Sequence, residues 1–483
     1  MNCSSALTTD LYQLTMAQAY WRSKKQDTEA SFYLHFRENP FGGGYTIACG
    51  MAQVAEYIEN FTFTNEDINY LSSINAPDGR TLFDSDFLNE LSALKLTVDI
   101  DAVREGEVVF PHEPLLRVNG PILQCQLVES ALLNFVGFET VVATKAARVC
   151  SVSPGPVAEF GLRRAQGPAG ALYASRAAFI GGCTSTSNVS AGARFDISVS
   201  GTHAHSWVMS FDSELESFRA YAEAFPHNCT LLVDTYDTLS GVANAIIVAG
   251  EMEQKGERLA AIRIDSGDLA WLSKRARALL DEAGFDYVKI IASNDLDEHT
   301  ILSLSTEQGA QIDGWGVGTR LSTAFDQPAL GCVYKMSAVR SGAQDNAWKP
   351  CLKISEQIQK SSLPGVLAAR RYLDENGTMV GDMIYDTTKP PTEDYIIDPT
   401  DELRQKNLSA ATAHELLAPL IRGGALAEPL PSALEAQETA QQSLARLDDT
   451  NKRLLNSHSY PVGLDRVLHD QRDSLVKKAR GLK

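Results

Sequence analysis

The chain predicts an α/β fold: an irregular TIM-like α/β barrel, preceded by an N-terminal α/β domain and followed by a C-terminal extension of strands and helices. Two observations carry this. Apolar strand-like runs recur through the middle third, each followed by small or polar residues and then a helical stretch. They recur at roughly 25 to 30 residues, the length of one βα unit, and a count of about seven or eight units favours a barrel over an open sheet.

In chain order, Ala158-Glu159-Phe160 precedes Gly161-Leu162-Arg163-Arg164, and Ile180 to Cys183 precedes Thr184-Ser185-Thr186-Ser187-Asn188. Ile197 to Ser200 precedes Gly201-Thr202-His203-Ala204-His205, and Leu231-Leu232-Val233 precedes Asp234-Thr235-Tyr236-Asp237. Leu259 to Ile264 precedes Asp265-Ser266-Gly267-Asp268, Val288 to Ile291 precedes Ser293-Asn294-Asp295, and Ile312 to Gly316 precedes Val317-Gly318-Thr319. The polar residues just after parallel strands share one end of the sheet, and ligands bind there. These runs place the barrel at 146–340, between an N-terminal domain at 1–145 and a C-terminal one at 341–483. The first includes a β-rich patch from Leu96 to Val118, broken by Pro111 and Pro114, with Pro121 just beyond it. In the last, Lys335 to Tyr385 reads as strands and turns, and Ala410 to Arg422 and Ala433 to Leu447 read as polar helices.

The bulk properties narrow the function. Of 483 residues, 44% are hydrophobic and 22% charged, as in ordinary globular enzymes. The start has no Lys or Arg ahead of an apolar run, and no stretch approaches the roughly 20 apolar residues that span a bilayer, so the expected location is cytoplasmic. Eight cysteines, among them Cys3, form no CxxC pair, and they read as free buried thiols in a reducing compartment. A net charge of -18 argues against nucleic acid or anionic lipid as partners. A small anion still binds an acidic protein where a few arginines, helix N-termini and a divalent cation converge.

Arg163-Arg164 puts two guanidinium groups at the rim of the expected site, where they serve either as anion ligands or as a solvated helix start. Arg263 lies inside the apolar run Ala260 to Ile264, where an unpaired charge is costly. Its partner is either a neighbouring Asp265 or Asp234 in an ion pair, or a substrate carboxylate. Asp265-Ser266-Gly267-Asp268 reads first as a helix N-cap, a role compatible with holding ribose hydroxyls or magnesium. Gly314 to Thr319 fits a phosphate-cradling turn after a late strand. His203 and His205 have no third residue at zinc-ligand spacing. A single histidine used as a phosphoryl acceptor needs an orienting acid and nearby N–H donors, which a strand end supplies.

Taken together, several segments resemble nicotinate phosphoribosyltransferases: Thr8 to Met16 (TTDLYQLTM), Phe36-Arg37 with Pro40 to Gly43, Phe160 to Gln166 (FGLRRAQ), and Thr186 to Val189. So do Gly201 to Ser206 (GTHAHS), Leu232 to Tyr236 (LVDTY), Arg263 to Asp268 (RIDSGD) and Val317 to Thr319. The similarity is colinear from about residue 5 to 340, and it weakens toward the C-terminus. The resemblance implies a type II phosphoribosyltransferase fold in a homodimer with shared active sites. It implies a reaction that forms nicotinate mononucleotide and pyrophosphate from nicotinate and phosphoribosyl pyrophosphate in NAD biosynthesis. ATP is a co-substrate, which makes the enzyme an ATP-dependent ligase forming a C–N bond, and the metal is magnesium, with manganese as the alternative, held mainly by substrate pyrophosphate.

Carried over by motif, His205 is the histidine that ATP phosphorylates and acts with Arg263 and Asp265 as the catalytic set. Tyr12, Thr202 and Arg263 hold nicotinate, with Tyr12 reaching the site of the partner subunit. Phe160, Arg163, Arg164, Ser206, Asp268, Gly318 and Thr319 complete the substrate-binding set, while His203, at a position the family does not fix, receives no role. The nearest rival is nicotinamide phosphoribosyltransferase, which places an acid where the amide binds. Thr184 to Asn188 offers hydroxyls and no carboxylate, so nicotinate is preferred. The remaining alternative is a non-catalytic barrel that acts as a binding protein.

Overall fold

A computed structural model describes residues 6–26, 28–342, 347–354 and 362–482. Cys3 therefore lies outside the described residues. The chain forms two compact units: residues 142–328 make one, and residues 1–141 together with 329–483 make the other.

The middle unit is a mixed α/β structure built on a parallel sheet of β1 (Val157–Glu159), β2 (Ser185–Thr186), β3 (Thr230–Leu232), β4 (Ala261–Ile264), β5 (Lys289–Ser293) and β6 (Gly314–Val317). The order across the sheet is β2-β1-β6-β5-β4-β3. Leu231, Ile262, Ile264, Ile290 and Val317 are all buried, which explains the near-continuous apolar runs, since a parallel strand is covered on both faces. Helices Gly167–Ile180, Thr238–Glu253 and Leu269–Glu282 supply crossovers. The register pairs Leu232 with Arg263 and Arg263 with Ile291. Asp234, Asp265, Asn294 and Gly318 consequently leave the sheet at one end.

Two expected strands are corrected. Ile180 to Cys183 is the end of the helix Gly167–Ile180 and the turn after it, because the alanine-rich stretch favours helix and Gly182, at φ +117°, takes a backbone that ends it. Ile197 to Ser200 contributes a single bridge, Val199 to Thr186. Gly314 to Val317 forms β6 itself rather than the turn, which begins at Gly318. Glycine at 316 is a packing requirement: a Cβ there would lie 2.6 Å from the Phe160 ring.

The other unit is largely antiparallel, with one parallel pair, Met379–Asp386 beside Val462–Leu464. Its larger sheet orders strands Lys349–Pro350, Val333–Arg340, Glu29–His35, Leu116–Pro121, Asp99–Val103, Leu417–Arg422 and Ala425–Leu426. Glu29 pairs with Arg340 in the ladder, and their side chains meet at 3.6 Å. A second sheet holds Val462–Leu464 and Met379–Asp386 at its centre, with Leu367–Leu373 next to the latter, and Tyr33 shares a core cluster with Leu367, Ile384, Leu464 and Leu468. Ala410 to Arg422 is thus strand (Thr412–Glu415 and Leu417–Arg422), not helix. Pro419 lacks the N–H a helix interior needs, and ladders with Leu367–Leu373 and Asp99–Val103 satisfy the backbone instead. The helix expected at Ala433 to Leu447 forms as Ala433–Arg446.

Among the described residues no cysteine forms a disulfide; Cys49, Cys125, Cys183 and Cys229 are buried, while Cys150, Cys332 and Cys351 are only half-buried, so the thiols are less uniformly enclosed than expected. No helix among the described residues is long and apolar enough to cross a membrane.

Two outcomes follow from this packing. Burial, reinforced by the positive charge of His112, Arg37 and Lys335, lowers the His35 imidazole to about 3. The unfolded chain therefore takes up that proton first as pH falls. The contribution of this group to stability is full above about pH 6.5 and is lost progressively as pH falls toward 3; His35→Phe should flatten this share of the acid limb in urea melts across that range. Gly316→Ala should cost about 1–3 kcal/mol through overpacking against Phe160, read by denaturant unfolding.

Candidate active site

Asp265, just after the C-terminal end of β4, lies between two of the expected site residues, Arg263 and His205. One of its oxygens accepts from Arg263 Nη2 at 2.9 Å and from the Ser293 hydroxyl. The other lies 3.8 Å from His205 Nε2. Burial pushes the Asp265 carboxyl up, but the Ser293 hydroxyl and the Arg263 guanidinium outweigh it and hold the group below the usual carboxylate range. The acid is therefore ionised at neutral pH and oriented by its donors.

Arg263 is the one partly exposed residue of an otherwise buried strand, in register between Leu232 and Ile291. Its Nε donates to Ser293 Oγ at 2.8 Å and its Nη1 to Thr202 Oγ1 at 3.0 Å. With the bond to Asp265, three of the five N–H groups of the guanidinium are engaged and two remain. The guanidinium carbon stands 5.5 Å from the Phe160 ring centroid, which adds a cation–π face. Of the two partners the sequence offered, Asp265 meets Arg263. Asp234 does not.

Asp234 ties strand ends together. It accepts from the Asp265 N–H at 3.0 Å and the Ser266 hydroxyl at 2.5 Å, and its Oδ1 is buried without a hydrogen-bond partner. His205 opens the short helix His205–Met209, and its Nδ1 sits 3.2 Å from Thr235 Oγ1. The imidazole is thus held at Nδ1, with Nε2 facing the Asp265 carboxylate beyond hydrogen-bond distance, and it stays partly open to solvent, with 41% of the side chain accessible.

The remaining expected residues divide. Arg163 and Arg164 are exposed on the turn after β1, which is not a helix start, and neither has an ion pair among the described residues. Gly318 and Thr319 begin the short helix Thr319–Ser322. Asp268 caps Leu269–Glu282 by accepting from the Trp271 N–H at 2.9 Å, the capping role its position suggested, and Ser206 faces solvent. Tyr12 lies on Leu11–Arg22 in the other unit and is half exposed.

Three contributors carried no assigned site role in the sequence. Ser293 bridges Arg263 and Asp265. Asp234 was visible only as a possible partner of Arg263. Glu159, 1% exposed, accepts from the Gly161 N–H, from Ser175 Oγ at 2.9 Å and from Thr186 Oγ1 at 2.6 Å, so one carboxylate anchors the turn bearing Arg163 and the Thr184 to Asn188 segment. The available signal was a lone acid in an apolar strand followed directly by Phe-Gly.

Comparison with known proteins identifies the family. Three family models match: the nicotinate phosphoribosyltransferase N-terminal domain over residues 7–137, the nicotinate phosphoribosyltransferase family over 156–387, and the C-terminal domain over 368–472. The chain is 44% identical over 472 residues to the nicotinate phosphoribosyltransferase of Bacillus subtilis (strain 168), which covers 95% of this chain and 93% of that one. It is 36% identical over 526 residues to that of Caenorhabditis elegans, covering 96% and 92%. The crystal structure of human nicotinic acid phosphoribosyltransferase superposes with a TM-score of 0.84 at 32% identity, covering 97% of this chain and 99% of that chain. With its three segments matched and its strand-end groups gathered on one carboxylate, the chain belongs to the nicotinate phosphoribosyltransferase family.

Proposed function

We propose that the chain transfers the phosphoribosyl group of phosphoribosyl pyrophosphate to the ring nitrogen of nicotinate, in NAD biosynthesis, and couples this to ATP through phosphorylation of His205. The observation that carries the reading is the single carboxylate, Asp265, shared by Arg263 and His205. It puts an anion receptor and a modifiable imidazole within reach of one bound substrate.

The two remaining N–H groups of Arg263 suit the nicotinate carboxylate, a planar anion that guanidinium grips in bidentate fashion. The Phe160 face and the Thr202 hydroxyl border the same guanidinium, so the pyridine ring has an apolar wall and its acid group a polar corner. Arg163, Arg164 and the backbone N–H groups at Gly318 and Thr319 are the donors for the sugar phosphate and pyrophosphate. Transfer at the anomeric carbon passes through an oxocarbenium-like state while charge builds on the departing pyrophosphate, so fixed cations and dipoles at that end lower the barrier. The protein's main task is to hold the ring nitrogen in line with the anomeric carbon.

Magnesium suits this site, because the orphaned Asp234 Oδ1 is a hard oxygen donor and the ion takes only about one or two protein carboxylates. When bound it neutralises pyrophosphate charge. In the ATP half of the cycle an imidazole nitrogen of His205 attacks the γ-phosphorus and ADP departs. The phosphoryl group later passes to water. While present, its charge and acceptor oxygens reorganise nearby donors and change substrate and product affinity.

Two finer features belong to the same reading. The parallel sheet is the wall of an irregular TIM-like barrel, and the protein is a homodimer in which Tyr12 of one protomer serves the site of its partner. Exposed Leu162, Val189, Val199, Met209 and Tyr236 lie on the segments that follow the parallel strands, and such apolar surface favours cover by another protein face.

The test is pyrophosphate release from phosphoribosyl pyrophosphate and magnesium, comparing nicotinate, nicotinamide and quinolinate, each with and without ATP. Nicotinate should be used and its turnover raised by ATP; preference for nicotinamide or quinolinate would refute the assignment. His205→Ala should remove ATP stimulation with no change in melting temperature, and unchanged ATP-dependent turnover would take His205 out of the cycle. Arg263→Ala should raise the nicotinate KM by about 10- to 100-fold, the loss of a charged hydrogen-bonded pair. An equal loss for neutral pyridines would exclude a carboxylate contact.

A further inference from the structure

We propose that His203 is a positioning residue: its imidazole clasps the two free edges of the parallel sheet together and so fixes Thr202 and His205 against Arg263 and Asp265. The proposal deepens the reading above, and it rests on that reading for the tasks given to Thr202 and His205.

The backbone shows where the clasp is needed. On β3, the Val233 N–H turns inward to Arg263 O at 3.1 Å, so the N–H of Leu232 faces the opposite way, off the free edge. Leu232 is 1% exposed, so water does not satisfy that group. Its partner is His203 Nε2, at 3.1 Å. The other free edge is β2, where Thr186 N donates to Ser198 O and Ser200 N to Thr186 O, both at 3.0 Å. Segment 198–203 therefore starts on one edge and ends, through an imidazole, on the other. A side chain stands where a strand carbonyl would close the ring.

The chemistry of the ring fits the task. Nδ1 faces Ala204 O at 3.4 Å, so Nδ1 carries the proton and the Nε2 lone pair is left for Leu232. Tyr221 packs edge-on at 4.8 Å and Phe218 lies at 6.1 Å. Burial keeps the imidazole pKa below the usual range, and the nearby charges of Arg263 and His205 act in the same direction, outweighing the Ala204 carbonyl. The acceptor form persists at neutral pH. The consequence passes to both neighbours: Thr202 Oγ1 donates to His203 O at 3.1 Å while accepting from Arg263, and His205 follows two residues later at the helix start.

The test pairs His203→Phe, which keeps an aromatic body but has no acceptor, with His203→Gln, whose Oε1 reaches the position of Nε2. In the full-length protein with nicotinate, phosphoribosyl pyrophosphate, magnesium and ATP, His203→Phe should lower kcat/KM for nicotinate about tenfold, with a matching fall in phosphoryl label on His205 from γ-labelled ATP. His203→Gln should recover most of both. Wild-type rates in His203→Phe, or equal loss in both variants, would overturn the proposal. Absence of any nicotinate-dependent turnover in the wild type would instead sink the functional reading and leave the clasp open to a second measurement. In protein carrying ¹⁵N-histidine, the imidazole signal missing from His203→Gln should show protonated Nδ1 and bare Nε2 at neutral pH. A proton on Nε2 would overturn the clasp whatever the enzyme does, because that nitrogen would then have no lone pair for Leu232.

Discussion

A guanidinium that emerges from an apolar strand needs a counter-charge within reach, and the C-terminal end of β4 provides one two residues later in Asp265. The desolvation of the pair is opposed by the Ser293 hydroxyl and the guanidinium itself, and the balance leaves the carboxylate ionised. Its neighbours on β4 and β5 and just after β3 are arranged around that anion. It keeps Arg263 turned outward with N–H groups to spare, it receives its own backbone anchor from Asp234, and its far oxygen faces His205. A neutral side chain at 265 would leave one half-buried cation uncompensated and one imidazole without an acid.

The acidic character of the chain is no obstacle to handling anions. At physiological ionic strength fields decay over about 8 Å, so the net charge of -18 is felt weakly at the strand ends compared with adjacent arginines. Local geometry decides: Arg163 and Arg164 stand exposed with no carboxylate partner among the described residues, while the buried Glu159 is occupied by one backbone and two hydroxyl donors. The acid ends β1 and the bases sit on the turn that follows, and only the bases are exposed to a ligand.

The legible parts of the fold were those whose cause is local. The strands at Thr230–Leu232, Ala261–Ile264 and Lys289–Ser293 are short apolar runs closed by polar turns, and most of their residues are buried, so period and composition sufficed. Ser185–Thr186 has two residues and no apolar run, and it exists because Glu159 and segment 198–200 hold it. Leu417–Arg422 is a strand because Asp99–Val103, some three hundred positions earlier, offers a ladder, which no local window contains. At the site, the motif residues Arg263, Asp265, Thr202 and His205 came together. Ser293 and Glu159 stayed hidden because a serine or a lone acid acquires its role only from what the fold sets beside it. His203 escaped for the same reason: a seam between strand edges is not a sequence pattern.

The antiparallel sheet interleaves strands from the first and last thirds of the chain, whereas residues 142–328 form a continuous unit. During synthesis this reverses the usual order of assembly, in which N-terminal parts fold first. The middle unit has all its strands once Pro328 leaves the ribosome. Glu29–His35, made hundreds of residues earlier, must wait for Val333–Arg340 to emerge and cover its free edge. In that interval an apolar strand lies open to stray pairing, so the nascent chain has most need of a chaperone well before translation ends.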